Sequence, residues 1–94
     1  MSAFDASNVL RIEFQLLAHY SGAPLITIEK VAETWFRITP KKLLEKCYNG
    51  DIPLPITPMG DSQKAGKFIS VHDLAIYIDK QQRAARAELE KLAS

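Results

Sequence analysis

Three lysines lie close together near the start of one predicted helix, at Lys41, Lys42 and Lys46. The positive end of the helix dipole disfavours cations in the first turn by a few tenths of a kcal/mol each, and Lys42 and Lys46 repel one another at i,i+4. The same ammonium groups, with the free N–H groups of the first turn, bind phosphate, which would offset that cost. The pattern therefore favours contact with a nucleic-acid backbone. The alternative is a solvated face on which Glu45 relieves the repulsion.

The segments around these lysines predict a helix-turn-helix. Apolar residues recur with helical spacing over residues 28–36, and Thr27 precedes them as a candidate N-cap. The turn consists of residues 37–39. The second helix begins with Thr39 as N-cap and Pro40 at its first position, and it ends at Asn49-Gly50. The side chains predicted to be buried are Ile28, Val31, Ala32, Trp35 and Phe36 on the first helix and Leu43, Leu44, Cys47 and Tyr48 on the second.

A proline-rich hairpin is predicted from Ile52 to Val71. Isoleucine and leucine alternate with two prolines over residues 52–56, so both prolines can face away from a partner strand, as on an edge strand. The return strand is predicted over residues 67–70, with Phe68 available for the core. Residues 60–66 form a glycine-bounded tip with polar side chains, which is typical of a wing on a sugar-phosphate backbone and also of a plain hairpin loop.

The N-terminal segment fits both a strand and a helix, and we favour a helix from about residue 8 to 20. This helix would be apolar on two opposite sides. One side can cover the rest of the domain while the other meets a second copy of the chain. The two sides consist of Val9, Ile12, Leu16 and Tyr20, and of Leu10, Phe14, Leu17 and Ala18.

Residues 70–73, Ser-Val-His-Asp, fit a capping box that opens a final helix extending to about Leu92. Val71 and Ala75 begin two interleaved seven-residue repeats, which allow a short coiled coil. The alternative is that the first half of the helix packs on its own domain and the second half is solvated. The residues predicted to pair two subunits are Ile78, Gln82, Ala85, Leu89 and Leu92.

The formal net charge of +1 conceals a segregation along the chain. Residues 1–36 have two basic and four acidic side chains, a balance of −2. Residues 37–67 have six basic and three acidic side chains, a balance of +3, and the remainder is neutral. The positive balance therefore falls on the second helix and the hairpin, and it is modest for a nucleic-acid binder acting as one copy.

Several function classes are not expected. No segment approaches the roughly 18 apolar residues of a membrane span, and Asp5 stands where a signal peptide would carry basic residues, so we expect a cytoplasmic protein without a membrane partner. His19 and His72 have no ligand at metal-binding spacing, and Cys47 is the only cysteine. No catalytic motif occurs. We therefore expect neither an enzyme nor a metal or other cofactor.

Together these segments predict an α+β, mostly helical winged helix-turn-helix with a two-stranded hairpin wing and a long C-terminal helix. We expect one domain over residues 1–94. Its predicted parts are an N-terminal helix and turn (1–24), the helix-turn-helix (25–50), the hairpin wing (51–70) and the C-terminal helix (71–94).

Residues 60–65, Gly-Asp-Ser-Gln-Lys-Ala, followed by residues 73–83, Asp-Leu-Ala-Ile-Tyr-Ile-Asp-Lys-Gln-Gln-Arg, resemble the pyocin activator (PrtN) family. The resemblance covers about residues 12–90. It includes Trp35-Phe36, Thr39-Pro40 and Ile52-Pro53-Leu54-Pro55. Members are small transcription activators of phage and phage-tail-like bacteriocin genes, so the resemblance implies that role here. More loosely, the order of elements is similar to the winged domains of MerR regulators and phage excisionases.

The sequence thus predicts a dimeric, sequence-specific activator that binds double-stranded DNA with its second helix in the major groove and the 60–67 loop on backbone or minor groove. The predicted DNA-binding residues are Arg37, Thr39, Lys41, Lys42, Lys46, Asn49, Ser62, Gln63, Lys64 and Lys67. An excisionase-like DNA-bending protein and a protein-binding phage regulator, such as an antirepressor, are the alternatives. RNA polymerase or another host or phage regulator is the candidate protein partner.

Overall fold

The computed structural model of the chain describes residues 6–61 and 65–93. Its helices and strands are α1 (Ala6–His19), β1 (Leu25–Thr27), α2 (Ile28–Val31) with a π-helical continuation (Ala32–Phe36), α3 (Pro40–Tyr48), β2 (Thr57–Pro58), β3 (Lys67–Ser70) and α4 (Val71–Ala93). Within these residues the strands form a small antiparallel sheet in the order β1-β3-β2. The fold is α+β and mostly helical with a long C-terminal helix, as predicted. None of the described helices combines the length and apolar character needed to cross a membrane.

The N-terminal segment is a helix, and it is two-sided as predicted. Val9, Ile12 and Leu16 are buried along the side of α1 that packs on α4. Leu10 and Phe14 lie on the opposite side and remain 51% and 63% exposed. One apolar side of α1 therefore belongs to the core and the other is available to a partner.

The sheet register decides which residue of β3 enters the core. Ile69 is fully buried and pairs with Ile26, which is also buried. Phe68, predicted to be available for the core, is only half-buried. Neighbouring residues of a strand point to opposite faces, so Ile69 and Phe68 cannot both face the core.

The first strand of the hairpin begins later than predicted. Residues 52–56 are irregular, and only Thr57 and Pro58 pair with β3. Ile52 and Leu54 are nevertheless buried, and the prolines between and after them are exposed. The alternation therefore indicates which side chains are buried, and it does not indicate a β-strand. The backbone N–H of Leu54 donates to the carbonyl of Ile52 at 2.8 Å, and the two prolines have no N–H to donate to a ladder.

The predicted capping box opens α4. The Ser70 hydroxyl accepts from the Asp73 backbone N–H at 2.9 Å and donates to the Asp73 carboxylate at 2.8 Å. Beyond it, Val71 and Ala75 are buried in their own domain, so the predicted coiled-coil repeat cannot begin at either residue. From residue 84 to 93 every residue of α4 is exposed. The first half of the helix belongs to the core and the second half projects from it.

A buried carboxylate joins α1 to α4. Asp79 is 1% exposed, and its two oxygens accept from the Asn8 amide at 2.6 Å and from the Arg83 guanidinium at 3.0 Å. The same Asn8 amide lies 3.3 Å from the Gln82 side-chain oxygen. Heptad spacing alone puts Asp79 beside the predicted seam and gives no sign that it is buried.

A second pair joins the same two helices at the surface. His72 Nδ1 lies 2.7 Å from Glu13 Oε1, and this hydrogen bond is the main reason that the pKa of His72 is raised above its ordinary value of 6.5. A histidine whose pKa is higher in the folded state than in the unfolded state stabilises the fold at pH values below its unfolded-state pKa. This stabilisation is lost as the pH rises through its folded-state pKa.

We therefore expect the free energy of unfolding to be higher for wild type than for His72→Ala. The difference should be largest at pH below about 6.5 and should shrink above it. The effect should be small, because the His72 side chain is 57% exposed. Urea denaturation of both chains between pH 5 and pH 8.5 measures it. Glu13→Gln should show the same trend. A difference that grows with pH would contradict the assignment.

Candidate nucleic-acid interface

The turn between α2 and α3 contains a residue in a strained conformation. Arg37 adopts the left-handed region, with φ of 55°, and ends the π-helical segment by donating its N–H to the carbonyl of Ala32. The N–H of Ile38 donates to the same carbonyl at 3.2 Å. The left-handed conformation costs an L-residue about 1 kcal/mol relative to glycine. The position therefore carries a guanidinium where glycine would suit the backbone better.

The N-terminus of α3 has the predicted cap. Pro40 restricts the preceding residue to extended backbone, and Thr39 accordingly has φ of −69° and ψ of 153°. Its hydroxyl accepts from the backbone N–H of Lys42 at 3.1 Å. Thr27 caps α2 in the same way, with its hydroxyl 3.2 Å from the Lys30 nitrogen. These short-range bonds set the direction in which α3 leaves the turn.

One side of α3 faces solvent. We call this side the α3 face and define it by Lys41, Lys42, Glu45 and Tyr48, all of which are exposed. Leu43 on the opposite side is fully buried. Tyr48 was predicted to be buried and is 66% exposed, because it lies one turn beyond Glu45 and two turns beyond Lys41 on the outward side. The face presents two cations, one carboxylate and one aromatic ring.

Two further predicted DNA-binding residues, Lys46 and Asn49, lie outside the α3 face. Lys46 is half-buried on the flank of the helix. With its amide nitrogen directed toward the end of α3, the exposed Asn49 side chain donates to the carbonyls of Glu45 at 2.8 Å and Lys46 at 3.1 Å. These bonds make Asn49 a C-cap, and Gly50 follows with φ of 85°. Both NH₂ hydrogens are then used within the helix end, which leaves the side-chain oxygen of Asn49 without the adjacent N–H donor that a bidentate contact with adenine requires.

A groove separates the start of α3 from the base of the hairpin. Pro40 and Leu44 form one wall, and Gly66, Lys67 and Phe68 form the other. The predicted site residue Lys67 is half-buried there. The hairpin closes beyond it through a bond of 3.1 Å from the Met59 N–H to the Gly66 carbonyl. Of the other predicted contacts, Ser62, Gln63 and Lys64 lie outside the described residues.

Acidic side chains interleave with the basic ones around this surface. Glu29 borders the groove between α3 and the hairpin, and Glu33 shares a shallow depression with Arg37 and Thr39. Glu45 lies on the α3 face itself. The structure therefore places Arg37 in the turn and Lys67 in the groove beside Pro40 at the start of α3, and the acidic side chains nearby mean that this surface is not uniformly positive.

Within the described ranges, no group of three or more histidine, cysteine or acidic side chains could hold a metal ion. Cys47 is half-buried, and burial raises the pKa of its thiol. Burial is also the main cause of the raised pKa of Tyr77, which interacts with Cys47. The ring centroid of Tyr77 lies 5.7 Å from that of Phe36, so Cys47 lies beside the aromatic packing between the π-helical segment and α4.

The predicted pairing residues lie along one side of α4. Ile78 is half-buried, while Gln82, Ala85, Leu89 and Leu92 are exposed. Leu89 and Leu92 are 66% and 78% exposed. Ile78 and Gln82 line a groove that also contains Trp35, an arrangement that the sequence pattern did not reveal.

Sequence reasoning missed Trp35 and Tyr48 as surface residues. The sequence predicts both in buried stripes, because aromatic residues at helical spacing usually mark a core-facing side. For Trp35 the cause is local, since the π-helical segment rotates the residues after Val31 relative to a regular helix. The indole N–H donates to the Tyr20 hydroxyl at 2.8 Å and remains 40% exposed. The only hint of this exposure in the sequence is the residue type, since the N–H of an indole needs a polar partner.

Comparison with known proteins gives one family match. The model of a family described as pyocin activator protein PrtN matches residues 13–85, from the middle of α1 to the projecting half of α4. Searches of curated proteins and of solved structures find no match. The matched segment includes the turn, α3 and the sheet. With its family model covering well over half of the sequence, the chain belongs to the pyocin activator PrtN family.

Proposed function

We propose that this protein is a transcription activator of phage or phage-tail-like bacteriocin genes that binds double-stranded DNA sequence-specifically. We assign it the winged helix-turn-helix fold, with α3 as the recognition helix and the β2–β3 hairpin as the wing. Family membership supports the role of activator. The succession of α1, β1, two helices across a three-residue turn, and a hairpin supports the fold assignment.

The exposed cations at the start of α3 carry the proposal. Lys41 and Lys42 stand in the first turn of a helix whose capping fixes its direction, and both are exposed. No acidic residue occupies that first turn. Their charges oppose the helix dipole in the free protein, and a phosphate would reverse this unfavourable interaction. Lys67 lines the groove beside Pro40 and gives the same region a further cation.

We also propose that two copies act together. The balance of +3 over residues 37–67 is small for tight binding by one domain, and a second copy doubles the phosphate contacts on a symmetric site. Sequence-specific contacts would then come from the α3 face of each copy. The exposed Tyr48 ring can make apolar contact with base edges such as the thymine methyl group, and Lys41 or Lys42 can reach guanine.

Selection of bound fragments from genomic DNA, followed by affinity measurements at rising salt, tests the function. We expect an enriched sequence motif, and a linear fall of log K with log salt whose slope reflects the number of phosphate contacts. A random duplex of equal length should bind more weakly with a similar dependence on salt. Absence of binding to any duplex at low salt would refute DNA binding.

A protein-binding regulator is the second candidate, and the exposed side of α1 favours it. Leu10 and Phe14 present an apolar pair to solvent next to the half-buried Leu17. Such a side can dock on RNA polymerase or on another host or phage regulator. A chain that binds no DNA at any salt concentration but captures such a partner would support this candidate, and Phe14→Ser should then abolish the capture.

Arg37 allows a test that separates binding from folding. Replacing Arg37 with glycine removes a guanidinium and relieves a left-handed φ, so the free energy of unfolding should stay unchanged or rise by up to about 1 kcal/mol. Affinity for DNA should fall, with a salt slope smaller by about 0.9 if the guanidinium contacts one phosphate. Arg37→Asn is the control, because asparagine also removes the guanidinium but tolerates the same left-handed backbone. An Arg37→Gly chain that binds DNA as wild type does would remove Arg37 from the interface.

A further inference from the structure

The outer end of the β2–β3 hairpin carries one large apolar side chain. Met59 is 60% exposed, and its neighbours Pro58 and Gly60 are exposed as well. The backbone N–H of Met59 donates to the carbonyl of Gly66 at 3.1 Å, which continues the antiparallel register of β2 and β3 by one residue pair. Met59 therefore stands at the end of the hydrogen-bonded ladder and outside the core.

The residue opposite Met59 explains why its side chain is uncovered. Gly66 has no side chain, and a Cβ atom added to it would lie 2.9 Å from Cε2 of Phe68, which is closer than a real contact allows. The Phe68 ring lies over Gly66 because residues two apart in a strand point to the same face. Glycine at position 66 thus accommodates this ring and leaves no side chain across the ladder to pack on Met59.

Met59 lies on the face of the hairpin that borders the start of α3. Directly opposite residues of a ladder point to the same face, so Met59 shares its face with Gly66 and Phe68. Gly66 and Phe68 line the groove whose other wall is formed by Pro40 and Leu44. A duplex held by α3 in its major groove would therefore meet this face of the hairpin.

The size and the charge of the hairpin end favour DNA over a protein surface. A stable protein interface buries about 800 Å² on each partner, far more than one methionine between a proline and a glycine can offer. The minor groove of DNA is only about 6 Å wide, and methionine is among the apolar residues that enter it. Residues 57–67 have two lysines against the single carboxylate of Asp61, a balance of +1, which attracts the phosphates on both sides of that groove.

We propose that Met59 enters the minor groove of the bound duplex next to the α3 site and makes the complex selective for A·T pairs there. The 2-amino group of guanine projects into the minor groove, whereas A·T pairs present only acceptors on its floor. Methionine would remove water from that amino group without replacing its hydrogen bonds, so G·C pairs should be disfavoured. This inference rests on the proposed function and adds a specificity-determining residue to it.

Inosine tests this contact, because it lacks the 2-amino group and keeps the major-groove pattern of guanine. The probe is the duplex selected from genomic DNA, made with A·T, G·C or inosine·C pairs in the minor groove that the protein protects beside the α3 site. Wild type should bind the A·T and inosine·C versions alike and the G·C version about fivefold or more weakly. Met59→Ala should lose this discrimination. Its salt slope and urea midpoint should stay unchanged, since the substitution removes neither a charge nor a core contact.

Two further variants complete the experiment. Met59→Leu keeps an apolar side chain of similar size and should retain the discrimination. Lys42→Ala is the control, since loss of a cation should weaken binding to all three duplexes by the same factor. Equal binding of the A·T and G·C versions by wild type, or unchanged discrimination by Met59→Ala, would overturn the role of Met59 and leave DNA binding intact. A wild type that binds none of the duplexes at low salt would overturn the proposed function together with this inference.

Discussion

Replacing Lys41 and Lys42 together with alanine should lower the affinity for duplex DNA on the order of tenfold or more, and it should reduce the salt slope by about 1.8 if both ammonium groups contact phosphates. Both ammonium groups are exposed in the first turn of α3. The free energy of unfolding should stay unchanged or rise slightly, because cations are unfavourable at a helix N-terminus. Fluorescence anisotropy across a range of salt concentrations, with urea denaturation of the same preparations, measures both effects.

The control for this experiment is Lys30→Ala, which removes an exposed cation from α2 and leaves the α3 face intact. It should change the salt slope much less than the Lys41→Ala, Lys42→Ala double variant does. A slope that is unchanged in the double variant would remove both lysines from the interface. An equal loss in Lys30→Ala would mean that binding depends on total charge rather than on the α3 face.

The second large effect concerns the buried Asp79. Arg83→Met keeps the aliphatic stem but removes the guanidinium that lies 3.0 Å from the Asp79 carboxylate. We expect a loss of about 2–3 kcal/mol in the free energy of unfolding, because a buried carboxylate that loses its cationic partner is strongly destabilising. The Asp79 side chain is 1% exposed and that of Arg83 is 32% exposed, so solvent screens this pair weakly. Urea denaturation with a constant m-value measures the loss.

Arg86→Met is the matched control, because Arg86 is an exposed arginine less than one turn further along α4. It should cost less than about 0.5 kcal/mol. Asp79→Leu in the Arg83→Met chain should recover part of the loss, since it removes the buried carboxylate as well. Equal losses in Arg83→Met and Arg86→Met would show that the Asp79–Arg83 pair contributes nothing specific.

Local bonds explain why some boundaries could be predicted closely. Thr39-Pro40 fixes the start of α3, since proline restricts the residue before it and the threonine hydroxyl caps the helix within three residues. The capping box at Ser70 fixes the start of α4 in the same way. Interactions between residues three or four apart depend little on the rest of the fold, so the sequence alone carries them.

The sequence alone locates the charged side chains of the candidate site, but it does not give the shape of the surface that presents them. The sequence places cations in the turn and in the first turn of α3, and the structure leaves Arg37, Lys41 and Lys42 exposed, while Lys67 lies half-buried in the groove beside Pro40. Tyr48 was not identified, because an apolar ring at helical spacing fits both a core stripe and an exposed face. Only the packing of Leu43 against the core determines how α3 is rotated, and this rotation exposes Tyr48.

The sequence by itself determined the helical N-terminal and C-terminal segments, the three-residue turn, the caps and the concentration of basic charge on the turn, α3 and hairpin. Tertiary structure alone decided that Asp79 is buried, that β2 is only two residues long, and that Trp35 opens onto a groove. The physical reason is separation along the chain. The environment of Asp79 depends on Asn8, and the groove beside Trp35 depends on α1 and α4, so both arise only when distant segments pack together.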